Sequence, residues 1–381
     1  MTRAAKLVFW VAGGALVYAQ AGYPVLLAAL ARVRGAREDG TPRTPAASEP
    51  HVSLIVAAHR EADVIAAKVG NALALDWPRE RLEVIVACDG SPDDTPACAR
   101  EAGADVVLNL PRGGKVRAQD AAVERARGEL LAFSDANAQW EPGALRALAA
   151  RFADPAVGYA CGQVRFVSEG GTNQEGLYWR YEMAIRALES RLCSVTAGNG
   201  AIYAVRREAY VRVDPVMGHD LSLPFTLVKR GWRAVYEPQA RATEKMVPSI
   251  EGEFARKRRM MSHAWPIVLR GGLLSPRGYP PLYALMVASH RLLRYATPLL
   301  HVLLLAASAA LAVRPGGRLA RAALAAQAAL LAAAAAGARL RARPLLVARY
   351  YVLTTASIAA GLWDHLRHGT PAGWAPPEGT R

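Results

Sequence analysis

The order of apolar and polar residues divides the chain into three parts. Residues 7–30 are an almost unbroken apolar run, and a second apolar region begins near residue 280. Between them, residues 51–270 alternate short apolar runs with amphipathic stretches. This pattern predicts a mixed α/β domain held between membrane segments.

The middle part predicts a parallel sheet. Predicted strands are residues 52–58, 82–87, 106–108, 130–134 and 202–205, and predicted helices are residues 61–75, 93–102, 115–127, 144–152 and 221–230. Strands that alternate with helices imply right-handed crossovers, so we expect a parallel sheet with helices on both faces.

The N-terminal apolar run predicts a membrane-spanning helix. Residues 7–30 have Gln20 as their only strongly polar side chain, and their length suffices to cross a hydrocarbon core of ~30 Å. A cleaved signal peptide is the alternative, because residues 19–21 imitate a cleavage site. Arginines at positions 32, 34 and 37 favour a cytoplasmic location for the residues that follow.

The C-terminal region predicts further membrane segments. Residues 276–295 include polar side chains from Ser289 to Arg294, which suits an amphipathic segment in the headgroup layer. Residues 296–313, 319–337 and 344–363 are each near spanning length, which makes four predicted spans with the N-terminal one. The alanine-rich middle segment could also be a buried soluble helix.

These boundaries define a domain plan. It comprises an N-terminal transmembrane helix (1–31), a linker (32–50), the α/β domain (51–275), an interfacial amphipathic segment (276–295), C-terminal transmembrane helices (296–365) and a polar tail (366–381).

Composition and charge agree with a membrane protein. Hydrophobic residues make up 52% of the chain, above the roughly 45–50% of soluble proteins. The formal charge of +15 would suit a protein that binds nucleic acid, an anionic membrane or an anionic substrate. Because the chain also has long apolar segments, we favour membrane lipids and expect no nucleic-acid partner. The four cysteines lack metal-binding spacing, which predicts free thiols in a reducing compartment.

Polar groups end the strongest predicted strands. Glu61 follows the first strand, Asp89 the second, and Asp135 the strand at 130–134. The carboxyl ends of parallel strands form the ligand crevice of open α/β sheets, and oxygen ligands there suit Mg²⁺ or Mn²⁺ holding a phosphate. Lys115, in a Gly-rich turn that opens a helix, can approach a diphosphate. Taken singly, each is also an ordinary turn or cap residue.

Seven motifs occur in a characteristic order. They are residues 52–61, Asp89-Gly90-Ser91-Pro92-Asp93-Asp94-Thr95, Gly114-Lys115, Asp135-Ala136-Asn137, Gly198-Asn199-Gly200-Ala201, His219-Asp220 and Arg256-Lys257-Arg258-Arg259. This series resembles the family 2 glycosyltransferases, inverting enzymes with the Rossmann-like GT-A fold of nucleotide-diphospho-sugar transferases. The resemblance spans about residues 51–275. The flanking segments look like those of bacterial members that build surface polysaccharides or glycolipids.

The resemblance implies a donor site and a metal. Asp89 would hold the nucleoside through its base, and Arg259 would face the diphosphate leaving group. The implied donor-binding residues are Glu61, Asp89, Lys115, Asp135 and Arg259. Asp135 and Asn137 would ligate Mg²⁺ or Mn²⁺, although Asn137 stands where many relatives have a second Asp.

The resemblance also implies that Asp220 is the general base for the acceptor hydroxyl. A helix cap for residues 221–230 is the alternative for this carboxylate. His219 and Asn199 stand where acidic residues are commoner, and Met260 takes the place of a Trp. The basic run 256–259 could also be a solvated or lipid-facing surface.

We therefore expect a multi-pass enzyme of the inner (cytoplasmic) membrane with its catalytic domain in the cytoplasm. It would transfer a sugar, with inversion, from a nucleotide-diphospho-sugar to a lipid-linked or growing saccharide acceptor. Two alternatives are left open. A polyprenyl-phosphate glycosyltransferase of the same fold would need no general base, and Asn137, Asn199 and His219 would fit a catalytically silent membrane scaffold.

Overall fold

The computed structural model describes residues 2–34, 49–167, 174–245, 250–340 and 342–373. Most of the predicted linker 32–50, Arg37 and the end of the predicted tail 366–381 lie outside these residues.

One mixed sheet forms the centre of the molecule. Its strands in the described residues are β1 Val52–Ala58, β2 Leu82–Asp89, β3 Val106–Leu110, β4 Leu130–Asp135, β5 Gln139–Trp140, β6 Val157–Val167, β7 Ile202–Arg206 and β8 Arg233–Lys245. Their order is β3-β2-β1-β4-β7-β6-β8-β5. The first four strands in this order are parallel, as predicted. The expectation of a wholly parallel sheet is wrong, because β7 pairs antiparallel with both β4 and β6, and β5 with β8.

Helices follow the strands and continue into the flanking apolar regions. In chain order they are α1 Thr2–Val17, α2 Tyr23–Val33, α3 Ala62–Leu73, α4 Thr95–Glu101, α5 Lys115–Arg125, α6 Ala144–Ala150, α7 Gln174–Leu192, α8 His219–Lys229, α9 Ile250–Leu269, α10 Pro281–Met286, α11 Leu293–Tyr295, α12 Thr297–Ala312, α13 Arg318–Ala336 and α14 Arg343–His368. The five helices predicted in the α/β domain are all present, with ends shifted by a few residues.

Both faces of the parallel strands are covered. On β1, Ile55 packs into a cluster with Ala118 and Ala122 of α5, whereas its neighbour Leu54 packs with Leu145 of α6 on the opposite face. Because both faces exclude water, these strands read as continuous apolar runs rather than as alternating ones. The predicted placement of helices on both faces is confirmed.

The register of β1 brings the polar strand ends together. Ala57 pairs with Asp135 at the end of β4, and Ala58 pairs with Cys88, which precedes Asp89 at the end of β2. The two carboxylates therefore flank the carboxyl end of β1, where ligands bind in open α/β sheets.

Several helices have the length and composition of membrane spans. Residues 3–33, including a π-helical turn at Tyr18–Gly22, form one continuous candidate of 31 residues, and α13 and α14 also qualify. Helix α12 is shorter and qualifies only together with residues 281–295, at a bend of 64°. By length and composition the described residues hold three candidate spans, or four if the bent pair is one span. The predicted count of four corresponds to the second case.

The predicted interfacial segment contacts the rest of the protein. Residues 276–295 form α10, a π-helical turn at Val287–Leu292 and α11. Ser289 and His290, which the sequence placed in the headgroup layer, are buried. The Tyr18 and Ser289 hydroxyl oxygens lie 2.9 Å apart. This turn therefore holds the N-terminal helix against the C-terminal region.

Helix α9 is attached along α14. Arg258 forms a bidentate ion pair with Asp364, with both N···O distances at 2.6 Å. The indole N–H of Trp265 donates to the Ile358 carbonyl oxygen at 3.0 Å. A Cβ on Gly361 would lie 2.6 Å from Met261 Cβ, so the two helices approach this closely only because residue 361 is glycine.

Candidate active site

A cavity of about 450 Å³ lies at the carboxyl ends of β1, β2 and β4. Helices α8, α9 and α14 form its other walls. Its lining includes every predicted site residue: Glu61, Asp89, Lys115, Asp135, Asn137, Asp220 and Arg259. The volume lies within the roughly 300–1,000 Å³ range of small-molecule sites.

Asp89 holds the Gly-rich turn before α5. Its Oδ1 accepts hydrogen bonds from the backbone N–H groups of Gly113 at 2.6 Å and Gly114 at 3.0 Å, and its Oδ2 forms a 2.7 Å ion pair with Arg112. Asp89 is only 3% exposed. The sequence did not predict this bonding, which makes Asp89 a positioning group for the turn; its predicted contact with a nucleotide base stays a prediction.

The C-terminal segment after α14 lies over the same turn. Gly114 has φ +97°, and a Cβ there would overlap the carbonyl oxygen of Ala372. Thr370 anchors the segment by donating its hydroxyl hydrogen to the Ser262 carbonyl oxygen at 2.8 Å. Residue 114 must therefore be glycine, because both its backbone conformation and the approach of the C-terminal segment exclude a side chain.

Asp135 ends β4 and is paired with Lys115. The Lys115 ammonium contacts Asp135 Oδ1 at the start of α5. Burial acts to lower the pKa of Lys115, but the Asp135 carboxylate outweighs it, and the pKa stands above its usual value. Lys115 is therefore a permanent cation at the strand end, where a diphosphate would need one.

Two charged residues near Asp135 were missed by the sequence analysis. Glu244 of β8 lines the cavity, and burial together with Asp135 raises its pKa to about 7. Lys68 of α3 is fully buried beneath the turn that follows β4, and its ammonium donates to the Ala138 carbonyl oxygen at 2.7 Å. Burial lowers the pKa of Lys68 to about 7. Neither residue belongs to a recognisable motif, and only strand register and helix packing bring them here.

Asp220 lies in the first turn of α8, on the cavity wall. Gly218 is the N-cap residue of this helix, and no side-chain cap bond forms there. A Cβ on Gly200 would lie 3.7 Å from Lys115 Nζ and 3.8 Å from Asp220 Cβ, so Gly200 separates these two groups. The cap alternative therefore lacks a hydrogen bond in the part of the chain that the structure describes, and the catalytic role of Asp220 stays a prediction.

His219 belongs to a buried aromatic cluster. Its Nδ1 lies 2.8 Å from the Tyr203 hydroxyl, and its ring meets Phe133 edge to face at 5.8 Å. Burial, with a smaller effect of Lys115, lowers the pKa of His219 to about 3. The side chain is therefore neutral, and an aromatic environment explains why a carboxylate does not occupy this position.

The segment from Gly198 to Ala201 is a tight turn on the cavity wall. Asn199 Oδ1 accepts a 3.1 Å hydrogen bond from the Ala201 backbone N–H, which closes the turn. A Cβ on Gly198 would overlap the Tyr159 hydroxyl. The Asn199 side chain thus closes the turn, and the residue also lines the cavity.

The basic run on α9 is divided among several partners. Arg256 and Lys257 form ion pairs with Glu253 at 2.7 and 3.0 Å, and Arg258 is taken by Asp364 of α14. Arg259 is half-buried and lines the cavity. This arrangement differs from a uniformly solvated basic face.

The donor chemistry of the site suits a hard divalent cation. No group of three or more His, Cys, Asp or Glu side chains arranged as a metal site occurs in the described ranges. Asp135, Asn137 and Glu244 nevertheless present oxygen donors to one cavity, and Glu244 Oε1 is a buried atom without a hydrogen-bond partner in those ranges. Carboxylate and amide oxygens are the ligands that Mg²⁺ and Mn²⁺ prefer, so the residues present fit such an ion.

Known proteins identify the family. Residues 53–213 match the family model described as Glycosyl transferase family 2. Residues 53–213 therefore form a family 2 glycosyltransferase region. The predicted family is therefore confirmed. The match ends before α8, so Asp220, Glu244 and Arg259 lie beyond the matched residues.

Individual relatives agree with this family. The chain is 30% identical over 255 residues to the beta-monoglucosyldiacylglycerol synthase of Synechocystis sp., which covers 59% of this chain and 50% of that protein. It is 29% identical over 230 residues to an N-acetylglucosaminyltransferase of Mesorhizobium japonicum, covering 55% of this chain and 54% of that protein. The chain thus spans about half the length of the curated relatives it matches.

A solved structure establishes the fold of the whole chain. The mannosyltransferase from Pyrobaculum calidifontis, in complex with GDP-Man and Mn²⁺, superposes with a TM-score of 0.68 at 24% identity. The superposition covers 96% of this chain and 99% of that chain. This likeness confirms the predicted GT-A domain with apolar helices at both ends.

Proposed function

We propose that this family 2 glycosyltransferase is a membrane-bound enzyme that transfers a sugar, with inversion, from a nucleotide-diphospho-sugar to a lipid-linked or growing saccharide acceptor. The observation that carries the proposal is one cavity lined by Lys115 and Asp135 at the strand ends and by Asp220 on α8. The sugar-transferring relatives support a nucleotide-sugar donor.

In this proposal the donor occupies the strand-end side of the cavity. Lys115 and Arg259 hold the diphosphate, and Asp135 with Asn137 would hold Mg²⁺ or Mn²⁺. A cation bound there supplies positive charge that stabilises the departing diphosphate. Asp89 fixes the turn on which the nucleotide lies, since its carboxylate already bonds that turn.

Asp220 serves the acceptor in this proposal. Its carboxylate takes the proton of the acceptor hydroxyl as that oxygen attacks the anomeric carbon, on the face opposite the leaving diphosphate. Helix α9 and the C-terminal segment 370–373 cover the cavity and exclude water that would otherwise compete as the acceptor.

The extent of the cavity supports a lipid-linked acceptor. Its lining reaches Tyr350, Thr354 and Ser357 of the candidate membrane helix α14. An acceptor with a lipid tail would thus meet the donor without leaving the membrane. We propose an inner-membrane, multi-pass location with the catalytic domain in the cytoplasm, because Arg32 and Arg34 follow the N-terminal span.

A second candidate acceptor is a polyprenyl phosphate. Arg291 and Arg294 line the cavity, the latter in an ion pair with Glu182, and cations in the cavity wall suit an acceptor that is itself a phosphate. Such an acceptor has no hydroxyl proton to remove. Near-parental transfer by Asp220→Asn would favour this candidate over the hydroxyl acceptor.

The proposal is tested with full-length protein in nanodiscs. A panel of nucleotide sugars is screened for thermal stabilisation with Mn²⁺ present, because a ligand at 100 times its Kd stabilises the fold by about 2.7 kcal/mol. Nucleotide sugars of one class should raise the Tm and be turned over with release of nucleoside diphosphate. Both effects should disappear with EDTA or in Asp135→Ala. Failure of the whole panel in both assays would contradict a nucleotide-sugar enzyme, whereas any turnover would exclude the silent scaffold.

The location is tested separately on intact cells. Residues 51–275 should resist added protease until the inner membrane is permeabilised, as expected for a cytoplasmic domain. Cleavage within this range in sealed spheroplasts would contradict the proposed topology.

A further inference from the structure

One carboxylate in the cavity has an unmet bonding requirement. Glu244 Oε1 is shielded from solvent and accepts no hydrogen bond from the described residues. A buried carboxylate oxygen that is left unpaired is unfavourable, because it has lost its water without a replacement. Arg256, Lys115 and Lys68 act on this carboxylate through their charge, but no described residue donates a hydrogen bond to Oε1.

Strand register places Glu244 beside the predicted metal turn. Strand β5 pairs antiparallel with β8, with Gln139 opposite Thr243 and Trp140 opposite Ala242. Continuing this register by one residue brings Glu244 alongside Ala138, immediately after the Asp135-Ala136-Asn137 turn. The Lys68 ammonium donates a hydrogen bond to the Ala138 carbonyl oxygen, so a side chain of α3 also fixes the end of this turn.

The Asp135-Ala136-Asn137 turn alone carries too little negative charge to bind a divalent cation tightly. Asp135 provides one negative charge, which it already shares with Lys115, and Asn137 provides a neutral amide oxygen. Glu244 lines the same cavity and can add a second carboxylate. Hard divalent cations bind most tightly where several oxygen ligands, including charged ones, converge.

We propose that Glu244 is a ligand of the divalent cation, forming with Asp135 and Asn137 a set of three protein oxygen donors. The proposal rests on the proposed function, because the nucleotide-sugar donor is what requires the cation. Glu244 thereby replaces the charge that Asn137 does not carry, from a strand more than 100 residues later in the sequence.

Mn²⁺ binding tests this assignment without relying on turnover. Free Mn²⁺ is measured by electron paramagnetic resonance with full-length protein in nanodiscs, first with Mn²⁺ alone and then with saturating UDP or GDP. Glu244→Gln keeps the side-chain size and removes the charge. We expect its Mn²⁺ Kd to rise about 10- to 100-fold, the range typical for loss of a group that supports a metal site.

A matched control variant is available on the same sheet edge. Glu141 follows β5, lies 3.6 Å from Arg165 and 3.8 Å from Arg241, and is not part of the cavity lining. Glu141→Gln should bind Mn²⁺ as the parent does. Equal Kd values for the parent and Glu244→Gln would refute the assignment while leaving the proposed function intact.

A second variant decides the question if Glu244→Gln does not fold. Glu244→Cys places a soft thiolate at the site, which should shift the Cd²⁺-over-Mn²⁺ preference at least tenfold relative to Glu141→Cys. An unchanged preference would mean that residue 244 does not touch the cation. If the parent itself binds no Mn²⁺ with or without nucleotide, the metal part of the proposed function and this assignment are both overturned.

Discussion

Replacing Asp220 by Asn should separate catalysis from stability. The substitution keeps the shape of the side chain but removes its basicity, and a positioned general base contributes ~10²–10⁴-fold in rate, or about 2.7–5.5 kcal/mol of barrier. The cost to folding should be far smaller. Asp220 lies in the first turn of α8, whose cap is Gly218 without a side-chain bond, and its carboxylate also attracts the Lys115 ammonium. The helix-dipole interaction that the substitution removes is worth about 0.3–1 kcal/mol.

Asp63→Asn is the matched control for this experiment. Asp63 also lies in the first turn of a helix, α3, but it is exposed and outside the cavity. Both variants should unfold within a few degrees of the parent and bind the donor normally, whereas only Asp220→Asn should lose transfer. The assay is the initial rate of nucleoside diphosphate release, with the donor from the screen and a membrane lipid extract as acceptor. Transfer by Asp220→Asn within threefold of the Asp63→Asn rate would refute the general-base role.

Three further predictions follow from buried groups. Arg151→Met should destabilise the protein by about 3–5 kcal/mol, because it leaves the Glu237 carboxylate buried without the guanidinium that lies 2.5 Å away. Thermal unfolding should show that most of this stability returns when Glu237 is also changed to Met. Gly198→Ala should lower the Tm and the transfer rate by driving a Cβ into the Tyr159 hydroxyl, and adding Tyr159→Phe should recover part of both; no recovery would argue against this contact. Folding lowers the pKa of His219 from its usual 6.5 to about 3. Below pH 6.5 the unfolded chain therefore binds a proton at this side chain that the folded protein does not bind, and the free energy of unfolding should fall with the pH. The slope is at most about 1.4 kcal/mol per pH unit, and the Tm of His219→Gln should respond less to pH between 6.5 and 5; an identical response would exclude His219 as the cause.

The parallel half of the sheet was predictable because its strands are buried on both faces. Leu54 and Ile55 show this, since each packs on a different face and their strand is apolar apart from Ser53. Strands β6 and β8 were not predicted. They mix polar and apolar residues, and β8 is interrupted by a register irregularity opposite residues 161–163. Such strands are identified by their partners rather than by their own sequence.

The candidate site was predictable for those polar side chains that directly follow a strand. Asp89 and Asp135 follow apolar runs directly, so topology alone brings them together. Glu244 and Lys68 could not be found this way. Lys68 is a charged residue within an ordinary helical pattern, and its burial under the Asp135 turn depends on how α3 packs against that turn.

The attachment of α9 to α14 bears on how this enzyme can be divided into modules. Arg259, proposed to face the leaving group, is carried by a helix whose neighbours Arg258, Met261 and Trp265 are fixed on α14. Excision at residue 275 would therefore remove the support that sets the depth of that cation in the cavity. In the proposed membrane location, bilayer thickness would become a mechanical input to the chemistry, because a tilt of α14 in response to hydrophobic mismatch would move α9 with it. The candidate membrane helices would then act as a lever on the α/β domain as well as its anchor.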